Sequence, residues 1–284
     1  MSSYAYYNGK FGHLSEISIP LTDRAIYFGD GIYDAAIGIN GGIFLLDEHV
    51  SRLLGNADKI KLKHQFTQEK LEQILKETVI RSGISDFFLY FQLTRDGKIR
   101  THSALECESA NLLVTVKDLT LGKSDELLDL ITFEDKRYRY CDIKTLNLLP
   151  SVLASTEAER HGCAEAVFHR GNTVTECAHS NVSILKSGKL ITHPTDDKIL
   201  PGITRRHLLM GCDKVGIPYE ERAFSLDELF DADEILVTST SKLCARAGRI
   251  DGKIVGGRDK KNALALYEYL LNELYEFGRQ QKRG

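Results

Sequence analysis

Two short stretches in the second half of the chain decide the interpretation of its fold: Thr175-Glu-Cys-Ala-His-Ser-Asn-Val182 and Leu200-Pro-Gly-Ile-Thr-Arg205. The first places a carboxylate, Glu176, at a predicted turn between two strand-like segments, where a solvated or structural glutamate is the commoner case. The second is a glycine turn that opens a predicted helix, and the free N–H groups of a first helical turn suit a phosphate. An ordinary loop-to-helix junction has the same composition.

A lysine between apolar residues precedes another predicted helix, in Cys141-Asp-Ile-Lys-Thr-Leu-Asn-Leu-Leu-Pro150. Desolvation or neighbouring cations favour the neutral amine, which can form a Schiff base with an aldehyde. A lysine at a strand end that reaches solvent explains the same pattern. Further along, Thr238-Ser-Thr-Ser241 follows a predicted strand and offers hydroxyl and amide donors, although such turns are frequent.

Composition and charge exclude several classes of function. The 284 residues include 37 basic and 40 acidic side chains, a formal net charge of −3. This balance provides no overall attraction to nucleic acid or to an anionic membrane. No apolar run approaches the roughly 20 residues of a spanning helix, and no basic and apolar leader begins the chain, so we expect a cytoplasmic protein. The scattered cysteines and histidines predict no bound metal.

Hydrophobic spacing predicts a chain of mixed helices and strands, of the α+β or α/β class. Helices are expected over 47–59, 67–82, 150–161, 203–215 and 263–277. The apolar pattern is interrupted by glycine, serine and charge near residue 120. We therefore predict a smaller N-terminal domain over 1–118, a linker over 119–127 and a larger domain over 128–284.

Taken together and in this order, the stretches resemble the class IV, or fold type IV, family of pyridoxal-phosphate-dependent aminotransferases. That family includes D-amino-acid and branched-chain aminotransferases and aminodeoxychorismate lyase. The most specific match is Glu176-x4-Asn181-Val, then Thr192, then Gly202-Ile-Thr-Arg205. Ser183 departs from the pattern, because the family usually has an aromatic residue there. The resemblance implies a small α/β domain followed by a larger, β-barrel-like domain with helices.

The resemblance also implies a pyridoxal 5'-phosphate (PLP) cofactor and a role for each matching residue. Lys144 would form the Schiff base with the cofactor and move the proton between the substrate Cα and the cofactor C4′. Glu176 would keep the pyridine nitrogen protonated, so that the ring accepts electrons. Arg52, in Asp47-Glu-His-Val-Ser-Arg-Leu53, would bind the phosphate. Four further residues are expected at the phosphate: Ile203, Thr204, Ser239 and Thr240.

Two residues in a long polar loop indicate the subfamily. Arg100 and His102 are two apart, so in an extended segment both side chains lie on the same side and can donate to one carboxylate. They resemble the R-x-H carboxylate-binding motif of D-amino-acid aminotransferases, completed there by a tyrosine that matches Tyr33. In that family the loop comes from the partner subunit, which implies a homodimer. An exposed polar loop without this role is the alternative interpretation.

Two other positions qualify the resemblance. His49 occupies a family position close to the substrate site, where it either contacts the substrate or only braces Tyr33. Tyr140 stands where the D-amino-acid branch commonly has arginine, which allows the cofactor to be tuned differently.

The implied function is transamination of D-amino acids with ping-pong kinetics, such as D-alanine with 2-oxoglutarate to give pyruvate and D-glutamate. The partners are then small amino and keto acids, with no nucleic acid and no membrane. A branched-chain L-aminotransferase and an aminodeoxychorismate lyase are the alternatives within the fold. A non-catalytic binding protein that inherited the fold is the alternative outside the enzymes, and it predicts no covalent cofactor.

Overall fold

The computed structural model describes residues 3–97, 100–119, 121 and 127–282, and the chain forms two compact units. The first unit comprises Met1–Thr120, Ile143–Asn147 and Leu274–Gly284. The second comprises Leu121–Asp142 and Leu148–Glu273. Most of the predicted linker over 119–127 lies outside the described residues, so the position of the domain boundary remains a prediction.

The first unit is built on a six-stranded sheet. Its strands and α-helices are β1 (Ser3–Tyr7), β2 (Lys10–His13), α1 (Arg24–Phe28), β3 (Gly31–Ile39), β4 (Gly42–Ile43), α2 (Leu46–Lys59), α3 (Gln68–Ser82), β5 (Phe87–Arg95) and β6 (Ala110–Asp118). The strand order is β2-β1-β6-β5-β3-β4. Every neighbouring pair in this order is antiparallel.

Local sequence explains the turns and caps of this unit. Asn8 and Gly9 join β1 to β2 with φ angles of 45° and 94°, in the left-handed region that a two-residue hairpin turn requires. Thr67 caps α3, because its side chain accepts a hydrogen bond from the Lys70 N–H, and Gly83 ends the helix with a φ of 68°. Both longer helices predicted for this unit are confirmed within one residue at each end.

The two longer helices supply the apolar core of the first unit together with the sheet. Leu53 of α2 and Leu71 and Leu75 of α3 are fully buried, in one cluster with Phe91 of β5. Helical residues three or four apart lie on one face, so each helix presents an apolar stripe while its other face stays polar. Burial of these side chains holds β3 and β5, which position the residues described below.

The second unit contains the larger sheet. Its elements are β7 (Leu127–Glu134), α4 (Leu149–Arg160), β8 (Glu165–Arg170), β9 (Thr173–Cys177), β10 (Asn181–Lys186), β11 (Lys189–Thr192), α5 (Ile203–Val215), β12 (Tyr219–Glu221), β13 (Phe224–Ser225), α6 (Leu226–Phe230), β14 (Glu234–Ser239), β15 (Leu243–Ile250), β16 (Lys253–Ile254) and α7 (Lys260–Gln281). The last residues of α7, from Leu274, group with the first unit.

The larger sheet has ten strands in the order β12-β11-β10-β14-β15-β7-β8-β9-β13, with β16 paired to β15. It is mixed, because β7 runs parallel to β8 and β15, and β11 runs parallel to β12. The sheet forms a half-barrel, in keeping with the β-barrel-like domain expected from the sequence. The predicted helices at α4, α5 and α7 are confirmed, and α5 has the expected bounds.

Several strands of the second unit were not predicted from the sequence, and the longest of them is β15. β15 has the sequence Leu-Cys-Ala-Arg-Ala-Gly-Arg-Ile, which is poor in the β-branched and aromatic residues that favour strands. It lies between β14 and β7, and its Arg246 donates to Glu234 of β14 at 2.9 Å, with both residues buried. Pairing with residues distant in sequence therefore determines this strand.

The predicted turn at Glu176 is wrong. Glu176 lies on β9, which pairs antiparallel with β8, and the reversal occurs earlier, at Gly171, whose φ is 58°. Glycine favours this left-handed conformation, and the polar Asn172 that follows suits a turn. The carboxylate is consequently presented by a strand rather than by a loop.

The described residues contain neither a membrane-spanning helix, nor a metal-binding cluster, nor a disulfide. No helix among them is long and apolar enough to cross a membrane. No group of three or more histidine, cysteine, aspartate or glutamate side chains in the described part of the chain is arranged to hold a metal ion. The six cysteines are all unpaired thiols.

Candidate active site

Lys144 lies in a short segment of the first unit, Ile143–Asn147, that is held against the start of β3. The Tyr33 N–H donates to the Lys144 carbonyl at 2.9 Å, and the Leu146 N–H donates to the Gly31 carbonyl at 3.0 Å. The Lys144 side chain is half-buried, and its Nζ lies 4.4 Å from the centre of the Tyr33 ring. An ammonium at this distance is attracted by the ring face. Backbone pairing thus brings together two of the predicted site residues.

The ring of Tyr33 is supported from β5. It stacks on Tyr90, with 5.4 Å between the ring centres and 28° between the ring planes. The Tyr90 hydroxyl donates to Gln92 Oε1 at 2.7 Å. Burial raises the pKa of Tyr90 well above its ordinary value, and the neighbouring Tyr33 adds to the shift. Tyr90 is therefore a neutral, fixed platform for the Tyr33 ring.

Arg52 and His49, both on α2, bind the same buried carboxylate, Asp34 of β3. Arg52 donates from Nε to Oδ2 at 2.7 Å and from Nη2 to Oδ1 at 2.8 Å. His49 Nδ1 lies 2.7 Å from Oδ1, which also accepts from the Ala35 N–H at 2.8 Å. A two-point contact of this kind fixes the plane of the guanidinium. His49 therefore helps to orient Arg52 through Asp34.

Asp34 is ionised despite its position in the core. Burial opposes its charge, but Arg52 and His49 more than offset this and hold the pKa of Asp34 well below its usual range. The sequence alone did not identify this residue, because a single aspartate within an apolar strand has no local signal of its partners.

Arg100 and His102 lie in the described part of the loop between β5 and β6, and both are exposed. The guanidinium carbon of Arg100 is 5.1 Å from the centre of the Phe28 ring, and the His102 ring centre is 5.4 Å from the same point. The two side chains therefore lie at one aromatic ring, and their joint role at a carboxylate stays a prediction.

In the second unit, the carboxylate of Glu176 is buried, and both of its oxygens accept hydrogen bonds. Its Oε2 accepts from the Asn181 amide and from the Leu200 N–H, each at 3.0 Å. Its Oε1 accepts from Nη1 of Arg137 through a short, charged hydrogen bond. Asn181 also donates to the Leu200 carbonyl at 2.9 Å. These contacts tie β9 and β10 to the loop before α5 and orient the carboxylate.

Arg137 is a site residue that sequence reasoning missed. It donates to Asp135 from Nε at 2.9 Å and from Nη2 at 3.0 Å, while Arg170 contacts the same carboxylate at 3.0 Å. Burial opposes the charge of Arg137, yet Asp135 and Glu176 raise its pKa above the ordinary value. The opposite charges at 135 and 137, just after β7, are the local signal that could have indicated a buried ion pair.

The start of α5 has no side-chain cap. Gly202 precedes the helix and provides no side-chain cap, so the first N–H groups, including those of Ile203 and Thr204, have no side-chain acceptor at that position. A Cβ on Gly202 would overlap Oδ1 of Asn181, which explains the glycine by close packing. Asn181 therefore joins the Glu176 carboxylate to the helix start.

Ser239 and Thr240 stand where β14 ends and the turn to β15 begins. The Ser239 hydroxyl accepts from the Lys242 N–H at 3.3 Å, within its own turn. Thr240 occupies the next position, in the turn itself. The role of each hydroxyl in phosphate binding remains a prediction.

Comparison with known proteins assigns the family. The family model for amino-transferase class IV matches residues 31–250, most of the chain. The chain belongs to the class IV aminotransferase family. This class IV aminotransferase is 34% identical over 275 residues to the D-alanine aminotransferase of Listeria monocytogenes serotype 4b, a match that covers 95% of each chain. The family predicted from the sequence motifs is confirmed.

Solved structures show the same fold. The branched-chain aminotransferase of Thermoproteus uzoniensis superposes with a TM-score of 0.86 at 23% identity, over 96% of each chain. A putative 4-amino-4-deoxychorismate lyase from Legionella pneumophila superposes with a TM-score of 0.83 at 21% identity, over 90% of this chain and 96% of that one. The predicted fold type IV class is thereby confirmed.

Proposed function

We propose that this class IV aminotransferase is a PLP-dependent transaminase of D-amino acids. The observation that carries the proposal is the 34% identity, over nearly the whole chain, to a D-alanine aminotransferase. The alternatives within the fold, a branched-chain L-aminotransferase and an aminodeoxychorismate lyase, rest on likenesses of 23% and 21% identity. The substrate class therefore follows the more similar relatives.

The side chains present fit PLP in charge and hydrogen-bonding capacity. The phosphate requires cationic and N–H donors, which Arg52 and the first N–H groups of α5, at Ile203 and Thr204, supply. We assign the hydroxyls of Thr240 and Ser239 to the same group. A protonated pyridine nitrogen requires a buried anionic acceptor, and Glu176 is the residue we assign to it.

Bound PLP supplies an aldehyde that takes up the amino group and a ring that accepts the electrons released at the substrate Cα. Lys144 would hold the cofactor through its aldehyde and would move the proton at the substrate Cα. Glu176 holds the proton on the pyridine nitrogen. Arg137 orients Glu176 and keeps a positive charge beside it.

We assign the substrate carboxylate to Tyr33, Arg100 and His102, with Arg100 and His102 reaching the partner's site in a homodimer. The exposure of both loop residues in the single chain supports this assignment. A homodimer is also supported by α4, where three apolar side chains spaced at helical intervals are more than half exposed: Leu149, Val152 and Leu153. His49 acts on Arg52 through Asp34. Unpaired cysteines support a reducing, cytoplasmic location.

The visible spectrum of the purified holoenzyme tests the function. D-alanine, added without a keto acid, should bleach the absorbance of the lysine-bound cofactor, and L-alanine should not. Lys144→Ala should lose this absorbance, whereas Lys136→Ala, at an exposed lysine, should retain it. Bleaching by L-amino acids alone would favour the branched-chain alternative, and no absorbance with added PLP would favour a non-catalytic protein.

Arg100→Ala tests the carboxylate assignment. We expect D-alanine activity to fall to near zero while the bound cofactor and its spectrum are retained, because only the substrate contact is lost. Arg81→Ala, at an exposed arginine on α3, is the matched control and should retain wild-type activity. Unchanged activity of Arg100→Ala would remove the carboxylate-binding role from this loop.

A further inference from the structure

The loop that bears Arg100 and His102 is held at its backbone by one buried arginine. Arg24, the first residue of α1, donates from Nη1 to the Thr101 carbonyl at 2.6 Å and from Nη2 to the His102 carbonyl at 3.1 Å. Its Nε donates to Asp30 Oδ2 at 2.7 Å. Arg24 is 6% exposed, although the loop it contacts is exposed.

The same arginine also contacts the ring at which the loop side chains lie. The Arg24 guanidinium carbon is 4.6 Å from the centre of the Phe28 ring. Arg100 and His102 contact that ring as well, so Arg24 and the two loop side chains all pack on Phe28. Both the backbone and the side-chain direction of the loop therefore depend on α1.

The helix α1 is itself anchored in the core of the first unit. Asp23 caps it by accepting from the Ala25 N–H at 2.9 Å. The same buried carboxylate accepts from the Thr94 hydroxyl at 2.6 Å and from the Asn111 amide at 2.8 Å, on β5 and β6. Arg24 is therefore fixed by the core of the first unit, and its contacts hold the loop in place.

We propose that Arg24 is a positioning residue for substrate recognition, which fixes Arg100 and His102 in the geometry that binds the α-carboxylate. The inference rests on the proposed function of that pair. Preorganised donors bind a carboxylate more tightly, because the loop is already ordered before the substrate arrives. Arginine suits the role because its fork donates to two carbonyls and one carboxylate at once, which a lysine cannot match.

Arg95 provides a matched control. It is 7% exposed, like Arg24, and it also donates to Asp30, at 3.1 Å. Its other two donors bind the carbonyls of Lys61 and Ile60 at the end of α2, at 2.9 Å and 2.8 Å. Loss of either guanidinium therefore removes a buried partner of Asp30, but only loss of Arg24 releases the loop.

The experiment compares holoenzyme variants Arg24→Met and Arg95→Met, in which the apolar stem of the side chain is kept. For Arg24→Met we expect a KM for D-alanine raised about tenfold or more, with kcat changed less than about threefold. Backbone N–H exchange in 101–105 should quicken by at least about tenfold, since the two carbonyl contacts are lost. The spectrum of the bound cofactor should not change.

Arg95→Met should leave the KM for D-alanine and the N–H exchange rates in 101–105 at wild-type values. This should hold even if Arg95→Met lowers the melting temperature as much as Arg24→Met does. Arg24→Lys, which keeps the charge beside Asp30, provides a milder variant if Arg24→Met does not fold, and its KM should also rise. An unchanged KM in both Arg24 variants, or equal rises in the Arg24 and Arg95 variants, would overturn the inference alone. A wild-type holoenzyme that is not bleached by D-alanine would overturn the proposed function together with it.

Discussion

Two buried clusters, one in each unit, are each built on an aspartate paired with an arginine, but they differ in the third group. The Asp34 cluster consists of Asp34, His49 and Arg52, and the Glu176 cluster consists of Asp135, Arg137 and Glu176. In each, one aspartate side chain is 0% exposed, while the arginine it binds is 12% exposed in the first cluster and 14% in the second. A fully buried aspartate is thus the anchor of both.

The clusters differ in the number of ion pairs between the buried aspartate and the group at the end of the cluster. Asp34 binds Arg52 directly, so the first cluster ends in a cation, which suits a phosphate. Asp135 binds Arg137, and Arg137 binds Glu176, so the second ends in an anion, which suits a protonated pyridine nitrogen. One additional ion pair therefore reverses the sign of the charge at the end of the cluster. Variants of the two clusters test this difference, and their expected effects range from a large loss of activity to a small change in stability.

Removing the charge at the end of the Glu176 cluster should have the largest effect. Glu176→Gln keeps the size and hydrogen-bonding oxygen but not the anion, so we expect kcat with D-alanine and 2-oxoglutarate to fall about 1,000-fold. Steady-state kinetics at saturating PLP measure this effect. Glu77→Gln, on the exposed face of α3, is the control. A loss below tenfold would remove Glu176 from the cofactor.

Neutralising Asp34 and Asp135 in turn tests whether the two clusters have different roles. Asp34→Asn and Asp135→Asn each leave a buried arginine poorly paired, so the free energy of unfolding should fall by about 3 kcal/mol in both. Asp34→Asn should also weaken PLP binding with kcat retained at saturating PLP, whereas Asp135→Asn should lower kcat. Urea unfolding and PLP titration measure these changes. If both variants shift the same kinetic parameter, the two clusters do not have separate roles.

Acid should weaken the Asp34 cluster in a defined direction. The pKa of Asp34 is held well below its usual range in the folded chain, so acid protonates the unfolded state first and favours it. The stability contributed by ionised Asp34 is fully present above the pKa that this carboxyl has in the unfolded chain. It is lost as the pH falls from there toward the lower pKa of the folded chain. Between about pH 5 and about pH 3, the stability advantage over Asp34→Asn should shrink by about 1.3 kcal/mol. A constant advantage over this interval would contradict the low pKa.

The smallest effect concerns a polar group that, unlike those of the clusters, has no partner. The Ser183 hydroxyl is buried without a hydrogen bond in the described part of the protein. Ser183→Ala should therefore raise the free energy of unfolding by about 0.5 to 1 kcal/mol. Ser225→Ala, which removes the cap of α6, should lower it by about 1 kcal/mol. Thermal unfolding of both variants tests the contrast, and a destabilised Ser183→Ala would indicate that the hydroxyl has a partner.

Elements with strong local signals were predicted well from the sequence. The bounds of α3 follow from Thr67 and Gly83, which act through contacts within a few residues. β15 and the strand position of Glu176 were not, because their stability comes from pairing with distant strands. Local composition contains little information about such pairing.

The site shows the same division. The order of its motifs in the sequence was sufficient to predict the family and to nominate Lys144, Glu176 and Arg52 as functional residues. The residues that orient them, Asp34 and Arg137, became visible only in the structure, since each acts across a sheet or between a strand and a helix.

The sequence by itself therefore determined the family, the longer helices and which reactive side chains the protein has. Only the tertiary structure decided which partners orient those side chains: Asp34 for Arg52, Arg137 for Glu176, and Arg24 for the loop of Arg100 and His102. The physical reason is the distance along the chain over which each interaction acts. Helix caps and turns depend on neighbours in the chain, whereas a buried charge must find its counter-ion wherever folding places one.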